Sequence, residues 1–136
     1  MASQAPRWAG NLAALPKGQD GKTTVCIVGG GNAAHVLLGY LGSRPGEINA
    51  RLLDDFSDEA ARLKAGMQAH GGLTVVNDVG QDVVAANAHI SKDPAEVIPG
   101  AHVIILSLPS FATEHYLDLI APYIEDDAFI GSLPAQ

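Results

Sequence analysis

Residues 22–56 read KTTVCIVGGGNAAHVLLGYLGSRPGEINARLLDDF, and their pattern decides the fold. Lys22 to Gly29 is a β-branched, apolar run ending in glycines, as expected of a strand buried on both faces. From Asn32 to Leu41, Ala33, Val36, Leu37, Tyr40 and Leu41 recur at helical spacing, and Ser43-Arg44-Pro45-Gly46 stops that helix. Ile48 to Leu53 is a second strand. Between the first strand and the helix, Gly29-Gly30-Gly31-Asn32-Ala33-Ala34 fits G-x-G-x-x-A. Gly29 permits a tight turn with positive φ, Gly31 lets a pyrophosphate approach the backbone, and Ala34 lets the helix lie close to the strand. Phosphates would meet the free N–H groups and positive end of the helix that starts near Asn32.

A glycine pattern alone is a weak signal. This one follows a strand, opens a helix, and is followed about 25 residues later by acids at the end of the second strand. An acid there accepts hydrogen bonds from the adenosine ribose hydroxyls and repels the 2′-phosphate of NADP. Asp54 and Asp55 both qualify, with Asp54 preferred because it falls where the strand should end. Residues 23–56 are therefore expected to bind the pyrophosphate and ribose of NAD(H), through Gly29, Gly30, Gly31, Asn32, Ala33, Ala34 and one of the two acids. The competing reading is that the glycines merely turn the chain and the acids form a solvated loop.

Outward from this unit, Ser57 reads as an N-cap, with Asp58 and Glu59 in the first turn of a helix that runs to Gly71-Gly72. Leu73 to His89 suggests a hairpin, with a turn near Val79-Gly80, leading into a third sheet strand. A short helix over Pro94–Ile98, a strand His102–Leu108, a helix Phe111–Ile124 and a strand Ala128–Leu133 follow. Alternating strands and helices with buried-type strands predict a Rossmann-type α/β fold, a doubly wound parallel sheet that stops after its fifth main strand.

Composition narrows the classes. At 136 residues the chain suits one domain, expected at 22–136, preceded by a flexible leader at 1–21. That leader lacks the apolar stretch of a secretory signal; an organelle-targeting segment is the alternative reading. No apolar run approaches the ~20 residues of a membrane span. A net charge of −7 with no Lys/Arg cluster argues against nucleic acid or an anionic membrane as partner. A single cysteine, Cys26, precludes an internal disulfide and fits a cytoplasmic setting. The five histidines lack metal-ligand spacing, so no metal is expected. His35 reads as a surface or helix-packing residue, Cys26 as a buried inert thiol, and Glu114 with Asp118 as a solvated helix face.

Longer segments add a family resemblance. VCIVGGGNAAHVLLGYLGSRPG, DDFSDEAARLKAG, ISKDPAEVIPGAHVIILSLPSFATEHYLDLIAPYI and the terminal GSLPAQ resemble the opine dehydrogenases of the octopine dehydrogenase type. The resemblance implies an NADH-dependent enzyme that reduces the imine formed from a 2-oxo acid, often pyruvate, and an amino acid. It implies an N-terminal cofactor domain and a separate C-terminal helical domain, absent from this sequence, that carries the catalytic groups. No residue here is therefore expected to be catalytic. Leu108 and Pro109 would lie in the loop beside the dinucleotide, and Leu133 to Gln136 near the nicotinamide end. Two positions depart from the family: relatives often carry a histidine where Thr113 stands, and some lack an acid after the second strand. The open alternatives are a non-catalytic dinucleotide-binding module and the N-terminal domain of a glycerol-3-phosphate or ketopantoate type dehydrogenase.

Overall fold

In the computed structural model, which describes residues 15–133, the first strand, β1 (Thr23–Val28), is buried at every residue. Two faces must therefore be covered, and alternation along the strand shows how. Ile27 packs against Ala34 and Leu38 of helix α1 (Asn32–Gly42) in a cluster that also holds Ala60 and Met67 of α2 (Glu59–His70). Cys26 and Val28 point the other way. They meet Val97 of α3 (Pro94–Val97) and Tyr116 and Ile120 of α4 (Thr113–Ile120). Helices on both faces of one sheet are the doubly wound arrangement that the alternating pattern predicted.

β1 pairs in parallel with β2 (Ile48–Leu53) on one side, in register from Thr23 opposite Ile48 to Val28 opposite Leu53. The chain also forms a hairpin of β3 (Leu73–Val76) and β4 (Asp82–Ala85), then β5 (His89–Ser91), β6 (Val103–Leu106) and β7 (Phe129–Ser132). The main sheet runs β5-β2-β1-β6-β7, every pairing parallel. Strand order reverses between β1 and β6, and in such sheets the crevice beyond the carboxyl ends of the two strands is where ligands bind. The expected hairpin stands apart as an antiparallel pair. It docks on α1 where Gly39 and Gly42 carry no side chain: a Cβ on Gly39 would run into Val75, and one on Gly42 would lie 2.6 Å from that of Ala85.

Two helix boundaries differ from the sequence reading. Ser57 does not cap α2. It sits at φ 51, its hydroxyl 3.5 Å from the Asp58 carboxylate, and the helix starts at Glu59. The reason lies three residues earlier: Asp54 Oδ1 accepts the Phe56 N–H at 3.0 Å, a local side-chain turn that displaces the helix start. The expected helix Phe111–Ile124 is three pieces, with α4 between 3-10 turns at Ser110–Ala112 and Ala121–Tyr123. Pro122 has no N–H to continue the α ladder. Most of the expected leader lies outside the described residues. Its last part is tied to the sheet: the Pro16 carbonyl accepts the Thr23 hydroxyl at 2.7 Å, and Asp20 accepts the Asn49 amide at 2.8 Å.

Candidate functional site

The carboxyl ends of β1, β2 and β6 deliver three loops to one cleft of about 630 Å³. The β1 loop is the glycine turn, and its three glycines have three different surroundings. Gly29 has φ 140, a conformation that side chains rarely adopt, and a Cβ there would run into the Ser107 carbonyl at the end of β6. Its N–H donates to the Leu53 carbonyl at 2.9 Å, locking the turn to β2. Gly30 faces acids: Asp54 Oδ2 fills the space a Cβ would need, and Glu59 Oε2 would stand 2.7 Å from it. Gly31 faces open space, with no atom within 4 Å of a built Cβ. It is also the N-cap of α1, without a capping side chain and without an acid in the first turn. The N–H groups at the start of α1 therefore remain available beside Gly31, Asn32 and Ala33, which all line the cleft. Ala34 is buried beneath them against β1, in the place the pattern assigns it.

The β2 loop brings both candidate acids. Asp54 is buried, and its carboxylate accepts the Phe56 N–H and, at 3.4 Å, the Tyr116 hydroxyl. Asp55 lies further out and meets His115 of α4, Nε2 to Oδ2 at 2.8 Å. Burial pushes the Asp55 carboxyl up, but hydrogen bonding from Tyr116 and His115 outweighs it, so the group titrates below its ordinary value. Tyr116 is pushed well above its ordinary range, first by burial and then by the carboxylates beside it, and stays a hydroxyl donor. Phe56 and Phe111 stand exposed at 67% and 88% on opposite loops of the cleft, giving it an apolar rim. From the β6 loop come Ser107, Leu108 and Pro109.

All the residues singled out in the turn, the acids and the loop after β6 thus line one cleft or, for Gly29 and Ala34, hold its wall. Pro134 to Gln136 lie outside the described residues. His35 is half-buried on α1 and does not line the cleft. His102 is structural, its Nδ1 accepting the Thr24 N–H at 2.9 Å. The Cys26 thiol is fully buried and pushed up to about 12 by burial, which leaves it inert. Glu114 and Asp118 are exposed. Sequence reasoning missed Glu59, Phe56 and the Asp55–His115 pair. Glu59 had a signal, its place in the first turn after the acids, but that position also suits a residue that merely complements the helix dipole. A larger groove, about 710 Å³, opens elsewhere beside Lys22, Arg51 and Lys64. It has no glycine turn, and Arg51 is occupied by the carbonyls of Val97 and Pro99 at 3.1 and 2.6 Å.

No protein-family model matches the chain. It is 42% identical over 115 residues to octopine dehydrogenase of Mizuhopecten yessoensis, a match covering 82% of this chain and 28% of that protein. Among solved structures, octopine dehydrogenase in complex with NADH and agmatine superposes with a TM-score of 0.76 at 42% identity, over 85% of this chain and 29% of the other. A 2-dehydropantoate 2-reductase from Porphyromonas gingivalis W83 shares the fold alone, with a TM-score of 0.62 at 22% identity, over 80% of this chain and 37% of the other. The chain thus spans under a third of the length of the octopine dehydrogenases it matches. Over that span it belongs to the opine dehydrogenase family, as the counterpart of the N-terminal domain of its octopine dehydrogenase members.

Proposed function

We propose that the cleft binds NADH in preference to NADPH, and that in the whole protein this domain presents the cofactor for reductive condensation of a 2-oxo acid such as pyruvate with an amino acid. The observation that carries the reading is the contrast within the glycine turn: Gly31 opens onto empty space at an uncapped helix start, while Asp54 is buried with its carboxylate against Gly30. That is room for a pyrophosphate with N–H donors on one side, and an acceptor for ribose hydroxyls on the other. The apolar rim of Phe56 and Phe111, with Leu108 in the wall beneath it, suits a flat base, which would stack without needing polar partners. The relative solved with NADH supports the same cofactor.

Bound NADH supplies a hydride. The residues here bind and orient: the turn and the start of α1 fix the phosphates, Asp54 the ribose, and the Leu108-Pro109 loop the path toward the nicotinamide. No Lys or Arg lines the cleft among the described residues to seat a substrate carboxylate. The chain by itself should therefore bind NADH without oxidising it in the presence of pyruvate and amino acids. Fluorescence titration with NADH and NADPH tests the binding claim. Tighter binding of NADH is expected; equal affinities, or a preference for NADPH, would overturn it. A second reading, a ketopantoate-type reductase domain, has only the shared fold in its favour.

A further inference from the structure

Glu59 points at the same place as the strand-end acid. Its carboxylate approaches the Cβ position of Gly30 to 2.7 Å, beside Asp54 Oδ2, and the residue lines the cleft. Asp58, its neighbour in sequence, does not line it and turns instead to Arg62, 3.7 Å away. The difference comes from the turn at Asp54, which starts α2 at Glu59 and so projects that side chain from the helix's first residue back over the glycines. We propose that Glu59 is a second specificity-determining carboxylate for the adenosine ribose, sharing the two ribose hydroxyls with Asp54 and excluding a phosphate ester on the 2′ oxygen. The proposal rests on the reading of the cleft as a site for NAD(H).

The physical case is one of matching donors to acceptors. Two carboxylates side by side repel unless a proton lies between them, and the Glu59 carboxyl is indeed raised above its ordinary value, chiefly by its hydrogen bond with Asp54. A ribose diol brings two O–H donors and can satisfy both acids while they stay ionised. A 2′-phosphate brings negative charge and removes one of those donors, so it meets two like charges where a site with one acid would offer one. Glu59 is half-buried, and glutamine keeps its size and shape, so that replacement should leave the fold intact.

Affinities of the chain for NADH and NADPH, compared among wild type, Glu59→Gln and Asp58→Asn, test the assignment. Glu59→Gln is expected to narrow the preference for NADH by about tenfold, the size of one charge-assisted contact. The change should come both from weaker NADH binding, as the ribose contact is lost, and from tighter NADPH binding, as the repulsion of the 2′-phosphate is relieved. Asp58→Asn removes the same formal charge one residue away and is expected to change the preference by less than about twofold. An unchanged preference in Glu59→Gln, or an equal shift in Asp58→Asn, overturns the assignment while leaving the cleft reading in place. A wild-type chain that fails to bind NADH overturns the cleft reading itself, and the role of Glu59 with it.

Discussion

β1 and β7 belong to one sheet and have opposite surroundings. Every residue of β1 is buried, and every residue of β7 is exposed, including Phe129 and Ile130. Their sequences, TTVCIV and FIGS, do not account for this by themselves: FIGS is less apolar per residue, but it offers Phe129 and Ile130 for burial and both stay exposed. Position decides it. β1 lies between β2 and β6, with α1 and α2 over one face and α3 and α4 over the other. β7 is an edge strand paired only with β6. Hydrophobicity thus marks a strand as able to be buried, and the crossover helices determine whether it is. The cleft lies where the turn after β1 meets the loop after β6, at Gly29 and Ser107.

The largest expected effect is at that junction. Gly29→Val imposes a strained φ and drives a side chain into the Ser107 carbonyl, so it should cost about 3 kcal/mol or more of folding stability, measured by urea unfolding. Gly31→Val two residues on meets no protein atom. It should leave the unfolding free energy within about 0.5 kcal/mol and yet abolish NADH binding. If Gly31→Val unfolds the chain, or binds NADH normally, the division of labour within the turn is wrong.

Covered and exposed strands can be compared by cavity creation. Leu52→Ala empties a fully buried site under α1 and α2 and should cost about 2–5 kcal/mol. Ile130→Ala on β7 removes a half-exposed side chain and should cost less than about 1 kcal/mol. Similar losses at the two positions, by the same urea measurement, would mean that β7 is covered in solution.

How much of this was legible in the sequence follows from how local each feature is. β1, α1 and β2 match their expected ranges to within one residue, because periodicity, glycines and Pro45 are all short-range signals. The start of α2 was misread because two short-range signals competed: Ser57 suits an N-cap, but the Asp54 side chain had already turned the chain. The site was half legible. Gly29 to Ala34 and the two acids announce themselves by pattern. Phe56 opposite Phe111, and Asp55 against His115, are brought together by the parallel pairing of strands far apart in sequence, and no spacing rule reports that.

A smaller effect separates the two acids by burial, as the strands are separated. Asp54 is buried with its carboxylate turned toward Gly30, so Asp54→Asn should weaken NADH binding by about tenfold, the cost of replacing a charged acceptor with a neutral one. Asp55→Asn should change that affinity by less than about threefold, because the Asp55 carboxylate is engaged by His115. The reverse ranking in a titration would move the ribose to Asp55.

The smallest effect is the pH signature of that His115 contact. The Asp55 carboxyl titrates lower in the folded chain than in the unfolded one: burial opposes ionisation, but Tyr116 and His115 favour it more strongly. A group with a depressed folded value binds its proton more readily when unfolded. Its ionised form therefore stabilises the fold at pH values above the unfolded pKa of about 3.9, and that contribution fades as pH falls through the folded value. His115 is 61% exposed, so solvent screens the pair and its contribution should stay under about 1 kcal/mol. Urea unfolding of wild type and Asp55→Asn between about pH 2.5 and 6 reads this directly, the window being set by the unfolded value. Wild type should be the more stable at the upper end, with the gap closing toward the lower end and shrinking in high salt. A gap that stays constant across the window would show that Asp55 contributes through shape alone, and the contact with His115 would then carry no electrostatic weight in the fold.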